Sequence, residues 1–590
     1  MKNLEMIYQN QTKPIVKIID GKYILNSKYK IGKIEISNNI ATLKLHNDKT
    51  QKIFVDLDKL NGSYVNDTVL AQVLFNPKGK TKAKVIEILH RDTTNILCIV
   101  KDHNLYSIKE NVLIDCEVVN NRDGDVVVFQ EGKISQVFGN ISNAKVDEKI
   151  SLFLYNEIYR LDEFENINYE IVDKSNRVDL THLNFSTIDP ASAKDHDDAI
   201  CFDKDTSELY VAIADVSAYV KEGSALDEEA FKRAFSIYFP NKVLPMLPFK
   251  LSTDLCSLVP NKVRPAYVFK MKLDLKDTIV VHSEVFEALI ESKHKYSYEY
   301  IDEVLEENNP QDESVILYNV TKVFRKKRLQ NGYDFRNDEI RLILDEEENL
   351  QNFTVESSSP SHSLVEECML LANQEAAKKL KNIGIFRVHS EPSAAKIKKL
   401  LDDVNLLGIK AQLKKDVHST IVSIQQKARN VGLEQEVDEL IIQSQQQASY
   451  SSIKNEHFGL GFNDYSHFTS PIRRYADLVL HRILKTGKIP DSIEQTCEEI
   501  STKEREIASL VWDYEDRKYA RYMSKNISKT YTATLTDVEK YIAKLDEGAK
   551  GARVHIENYT GEKLFSKVTV KITSSDIVSK RITATIENEK

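Results

Sequence analysis

STIDPASAKDHDDAICFD, residues 186–203, places Asp189, Asp195, Asp197 and Asp198 within ten residues of one another. Carboxylates at this density repel one another, and the ionised cluster is stable only where cations neutralise it. Hard oxygen donors suit magnesium, with manganese as the alternative. The intervening Pro190, Ala191, Ser192 and Ala193 are small or turn-forming, so the chain can fold back and aim several carboxylates at one point. Apolar residues flank the cluster, Ile188 before it and Ala199-Ile200-Cys201-Phe202 after it. A solvated acidic turn has no need of such flanks, whereas a reactive loop held against a core strand does. A calcium loop of the helix–loop–helix kind does not fit. Counted from Asp189, its third, fifth, sixth and twelfth positions are Ala191, Ala193, Lys194 and Ile200, where oxygen ligands, glycine and glutamate are required.

Upstream of this segment, residues 1–140 read as all-β. Short segments (YILN, KIEI, ATLKL, AKVIEIL, DVVVF) are separated by NG, DG and PKG turn signals. Two small barrels are expected, 1–76 and 77–140, with the break near Asn76-Pro77-Lys78-Gly79. Barrels of this size commonly bind single-stranded nucleic acid through a basic groove and stacking aromatics. Residues 141–178 read as a mainly helical connector, and 179–523 as mixed α and β. Within the latter, ELYVAIADVSAYV (208–220) is a strongly apolar strand pattern. After Pro392, Ile397, Leu400, Leu401, Val404 and Leu407 keep helical spacing, and Gly408 supplies the stop. The stretch 497–523 is a charged helix, and 524–590 returns to short strands. The expected fold is therefore multidomain, an α/β domain flanked by all-β modules.

Of the 590 residues 41% are hydrophobic, which is ample for several buried cores. No run of about 18 apolar residues is present, so no membrane span is expected. The start, MKNLEMIYQNQTKPIVKI, lacks an apolar signal-peptide core, and a cytoplasmic protein is the expectation. Six scattered cysteines (98, 116, 201, 256, 368, 497) form no C-x-x-C pair and fit single buried thiols. The net charge of −9 hides an uneven distribution: residues 1–100 carry +7, residues 524–590 carry +3, and the middle carries −19. Basic ends can grip a polyanion while an acidic middle holds cations.

The spacing D-x5-D-x-D-D in a T-I-D-P context resembles the catalytic signature of the RNase II/RNase R exoribonucleases. Four further blocks follow in family order. They are YFPNKVLPMLPFKLSTDLCSLVPN (238–261), LVEECMLLAN (364–373), FRVHSEPS (386–393) and HFTSPIRRYADLVLHRIL (467–484). The resemblance spans about 180–485. It implies two cold-shock-type OB barrels, a catalytic RNB domain over 179–523 and a short C-terminal OB-type RNA-binding module over 524–590. It further implies magnesium ligands at Asp189, Asp195 and Asp198, and an aspartate critical for turnover at Asp197. Arg473 takes the place of an arginine beside the scissile phosphate. Tyr238 and Phe335 (in GYDF, 332–335) correspond to aromatics that clamp the RNA 3′ end, and Tyr298 to a tyrosine that favours RNA over DNA. Two departures stand out: Val511 replaces a frequent glutamate, and the C-terminal module lacks the usual opening, so it reads as a barrel remnant.

The implied activity is processive 3′-5′ hydrolysis of single-stranded RNA to nucleoside 5′-monophosphates, by a monomer. Four carboxylates can hold a metal pair that serves both the attacking water and the leaving oxygen. A single aromatic taken alone is usually a core residue, and only the matched positions single out Tyr238, Tyr298 and Phe335. His389, His467 and His481 are spaced as no zinc motif is, and read as structural or backbone-contacting groups. The rival readings are a catalytically inactive RNA-binding protein of the same fold and an endonuclease with a similar site.

Overall fold

Strands Tyr29–Ser37, Ile40–Leu45, Lys52–Val55, Thr68–Leu74 and Lys82–His90 turn alternate apolar residues, among them Ile34, Leu43, Ile53, Val69 and Val85, into one core. They close a barrel in the order first, second, third, fifth, fourth. This structure, a computed structural model, describes Tyr8 and residues 15–587 apart from 20–21, 38–39, 46–51, 57–58, 62, 64–66, 75–80, 91–94, 115, 162–174 and 336–338. The expected break at Asn76–Gly79 lies outside the described residues. The strand beyond it, Lys82–His90, pairs with Thr68–Leu74 and runs parallel to Lys52–Val55. The first barrel therefore runs past residue 76 to His90. A turn signal marks a turn, and only non-local pairing decides which strand closes a barrel.

The second module has strands Ile96–Lys101, Asn104–Ser107, Leu113–Ile114, Asp125–Gln130 and Lys133–Asn140. Among the described residues these form an open antiparallel sheet rather than the closed barrel expected. Its shortest strand has two residues and pairs with Asn104–Ser107. Helix Val146–Leu154 packs on the sheet instead, setting Val146 and Ile150 against Leu97, Ile99 and Phe138. Of the 141–178 connector, residues 141–161 and 175–178 are described, and they include this helix and the short helical turn Ile158–Leu161.

The mixed α/β domain is built on a six-stranded sheet. Its longest strand, Ile279–Ser297, pairs first with Val263–Asp274 and then, at its end, with Phe185–Asp189. The sheet thereby curls back on itself. Strand Glu208–Ala214 is buried on both faces, which explains its unbroken apolar run. The sequence suggested that this strand continues to Val220. It ends at Asp215, a buried carboxylate held by Arg177 and Lys485, and a short helical turn follows.

Residues 530–586 close a second five-stranded barrel with the same ring order as the first. The module is a complete barrel rather than a remnant. Leu535, Ala543, Val554, Val570 and Ile582 fill it, and Leu342, Tyr519 and Met523 of the mixed α/β domain extend its core. The 32-residue helix Ile493–Ser524 ties the modules together. Arg521 pairs with Asp147 of the connector at 2.6 Å, and Asp513 takes Arg517, Lys580 and Ser151. These charges are buried, so losing one partner would cost about 3–5 kcal/mol. No described helix is long and apolar enough to cross a membrane, and all six cysteines are free thiols.

Candidate active site

Asp189 ends one strand and Asp198 begins the next, Asp198–Asp203, and the two strands are antiparallel neighbours. The connecting loop is pinned through its backbone. Lys295 donates to the carbonyls of Ala191 and Ala193. Ser257 Oγ donates to Lys194 O and accepts from His196 N–H, and Leu258 N–H donates to His196 O. A loop held at so many points keeps its side chains aimed.

Asp197 is 4% exposed. Its Oδ1 accepts the Ile472 N–H at 2.8 Å, and Arg473 Nε lies 3.4 Å from Oδ2. That Oδ2 is buried and accepts no hydrogen bond among the described residues. Burial pushes the Asp197 carboxyl well above the usual carboxylate range, against the pull of Arg473. Asp198 is pushed up to about 8, by burial first and then by the charge of Asp189. Asp195 accepts the Tyr238 hydroxyl at 2.9 Å, and Asp189 meets His196 Nδ1 at 2.6 Å. Burial and the neighbouring Asp195 keep the Tyr238 phenol protonated, as a donor.

Arg473 sits in a turn that the sequence itself fixes. Asp477 accepts Ser470 N–H and takes Arg474 in a bidentate pair. Ser236 N–H donates to Arg473 O, and Tyr475 N–H to Ala234 O. The segment leading to Tyr238 is thus tied to the turn carrying Arg473. About half of the Arg473 side chain remains exposed.

Among the described residues, no group of three or more His, Cys, Asp or Glu side chains is arranged to hold a metal ion. Two of the carboxylates are turned to His196 and Tyr238 instead. The chemistry of the donors nevertheless fits a hard divalent cation: all are carboxylate oxygens, one is buried without a donor, and burial raises two of the carboxyls despite the nearby Arg473.

Residues 177–488 match the RNB domain. Ribonuclease R of Helicobacter pylori (strain ATCC 700392 / 26695) is 33% identical over 475 residues, covering 76% of this chain and 72% of that protein. The chain belongs to the RNB-domain ribonuclease R family. It is an exoribonuclease, and so a hydrolase. Mycoplasma genitalium RNase R, solved in complex with ribose-methylated single-stranded RNA, matches with a TM-score of 0.78 at 24% identity, over 94% of this chain and 100% of that one. Yeast Ssd1, described as a pseudonuclease, matches with a TM-score of 0.65 at 16% identity, over 94% and 80%. These two likenesses concern the fold alone.

The two remaining residues that the sequence resemblance singled out, Tyr298 and Phe335, fall in different places. Tyr298 opens helix Tyr298–Glu307 beside the aspartates, and its ring stacks on His362 at 3.8 Å. Burial, with the charges of Asp198 and Asp189, raises its phenol. Phe335 is instead part of the helical region, stacked on Tyr333 at 6.0 Å and packed with Ile397, Leu400 and Ile441. Val511 packs against the catalytic core, which accounts for an apolar residue there. His196 was not singled out from the sequence, although its place between Asp195 and Asp197 was the available signal. Ser257 lies in the 238–261 block but was not singled out, and Lys295 carried no signal. His389, His467 and His481 make the structural contacts expected, to Gln446 O, Tyr450 Oη and Phe468 O.

Proposed function

We propose that the enzyme hydrolyses single-stranded RNA processively from its 3′ end to nucleoside 5′-monophosphates, acting as a cytoplasmic monomer with magnesium at Asp189, Asp195 and Asp198. The observation that carries this reading is the buried Asp197 carboxylate paired with the half-exposed Arg473 and set beside three further carboxylates. The chemistry that a bound pair of divalent cations supplies is charge neutralisation at the phosphate and a nucleophilic water at neutral pH. Once ionised, Asp197 would orient the attacking water and take its proton at Oδ2, an oxygen whose basicity burial raises. Arg473 reaches the phosphate with the half of its side chain that is exposed. The exposed Tyr238 ring receives a terminal base, and Tyr298 faces the terminal ribose. The test is labelled poly(A) with magnesium, run beside a 3′-blocked copy. Stepwise mononucleotide release from the open end supports the reading, and cutting of the blocked copy would make the protein an endonuclease. A catalytically inactive RNA-binding protein of the same fold would release nothing. All four aspartates and Arg473 are present here.

Cation binding should depend on pH. Asp197 and Asp198 hold protons more tightly folded than unfolded. Their contribution to stability is fully present below the ordinary carboxylate range and fades as pH rises toward about 8, the folded value for Asp198. A divalent cation displaces those protons. Its apparent affinity should rise about tenfold per pH unit for each proton displaced, then level off above that value. Magnesium titrations of melting temperature at several pH values measure this. Equal midpoints at acid and alkaline pH would rule out these carboxyls as the site.

Tyr238 holds Asp195 through its hydroxyl and offers its ring to RNA, so two substitutions separate the roles. Tyr238→Ala should lengthen the limit product by one or more nucleotides, because a lost stack of about 1–3 kcal/mol matters most to fragments that reach only the clamp. Tyr238→Phe should keep the limit product and, by freeing Asp195 from its hydroxyl partner, change magnesium binding alone. Digestion of a labelled oligonucleotide to completion on a denaturing gel decides. An unchanged product in Tyr238→Ala would make the ring a packing residue.

A further inference from the structure

The loop carrying Phe335 meets the turn His457–Phe462 with no room for side chains. A Cβ on Gly332 would lie 2.5 Å from the Leu460 carbonyl oxygen, and one on Gly461 would lie 2.5 Å from Gly332 N. Gly461 also has φ +73°, a conformation that glycine adopts at no steric cost. Across this contact Tyr333 N–H donates to Gly459 O at 2.9 Å. One side chain holds the turn from behind, His389 of the R-V-H motif. Its Nδ1 accepts Gly459 N–H at 2.9 Å, and its Nε2 lies 2.8 Å from Gln446 O. An acceptor at Nδ1 and a carbonyl at Nε2 admit one species, the neutral imidazole with its proton on Nε2. Burial lowers the His389 pKa and so favours that species.

We propose that His389 is a positioning residue for the 3′-end clamp, acting through Gly459 on the Gly332–Phe335 loop. The relay runs from Nδ1 to Gly459 N–H, from Gly459 O to Tyr333 N–H, and from Tyr333 to the Phe335 ring stacked on it. This rests on reading Phe335 as a clamp residue. His389 touches no reacting atom, and its loss should leave the rate on long RNA largely intact.

Two variants split the imidazole's roles. His389→Asn sets an amide oxygen where Nδ1 stands and keeps the acceptor for Gly459. His389→Gln extends an amide nitrogen toward Gln446 O and leaves Gly459 N–H without its acceptor. Hydrogen–deuterium exchange at the Tyr333 amide should be about tenfold faster in His389→Gln and close to the parent in His389→Asn, the effect of one lost buried hydrogen bond. The limit product should lengthen in His389→Gln, as in Phe335→Ala, and stay at parental length in His389→Asn. Equal exchange in the two histidine variants overturns the relay. An unchanged limit product in Phe335→Ala overturns the clamp, while the exchange data still report separately on whether His389 holds the loop.

Discussion

Asp197→Asn should lower turnover by at least about 100-fold while leaving affinity for single-stranded RNA within a few-fold. The substitution is nearly isosteric, and the amide oxygen can still accept the Ile472 N–H that Oδ1 accepts now. What it removes is the basic Oδ2, which lies 3.4 Å from Arg473 Nε and is otherwise unpaired. In its place a donor amide faces a donor guanidinium, and nothing remains to take a proton from the attacking water. RNA affinity should survive because the barrels at residues 29–90 and 530–586 lie outside the aspartate cluster and are expected to share the binding. Folding should survive too, since burial disfavours the charge being removed. Single-turnover hydrolysis beside a binding titration gives both numbers. Retention of more than about a tenth of parental turnover would be too much for loss of an essential base, and the role assigned to Asp197 would be wrong.

Arg473→Ala should lower kcat by about 100-fold or more, with a smaller change in KM, because a preorganised donor counts most where charge develops. Arg473→Lys should recover little, since a point charge cannot repeat the fork that reaches both Asp197 and Ser470. A pH profile distinguishes this role from simple packing. Arg473 holds the Asp197 carboxyl down against burial, so its removal should push that carboxyl higher still. The acid limb of the rate profile should then move toward alkaline pH in Arg473→Ala. An unmoved limb with a proportional loss of rate at every pH would leave Arg473 as a surface cation.

The candidate site was legible because its evidence is local. Four aspartates in ten residues, small residues between them and apolar flanks on both sides already describe a loop between two core strands. The structure places Asp189 and Asp198 at the facing ends of such strands. What the spacing could not separate is Asp197 from Asp198. They are neighbours in the chain, yet Asp197 is buried against the 470–473 turn, whereas Asp198 is only partly buried and is felt by Tyr298. Phe335 shows the opposite limit. Its motif was readable, but its ring lies with the helical region, and backbone packing among glycines ties its loop to the His457–Phe462 turn.

Composition and periodicity by themselves determined the all-β ends, the mixed α/β middle and the acidic cluster at 189–198, because alternation, turn signals and acidic spacing act over a few neighbouring residues; the roles expected of Arg473, Tyr238, Tyr298 and Phe335 came from the family resemblance. Only the tertiary structure decided that the first barrel closes at His90, that the second module is an open sheet, and that the C-terminal barrel is complete. Only it showed His196 on Asp189, Tyr238 on Asp195 and Arg473 on Asp197. Each of these is a pairing between distant segments or a side-chain orientation fixed by burial, and the free energy that selects it comes from contacts absent until the chain has folded.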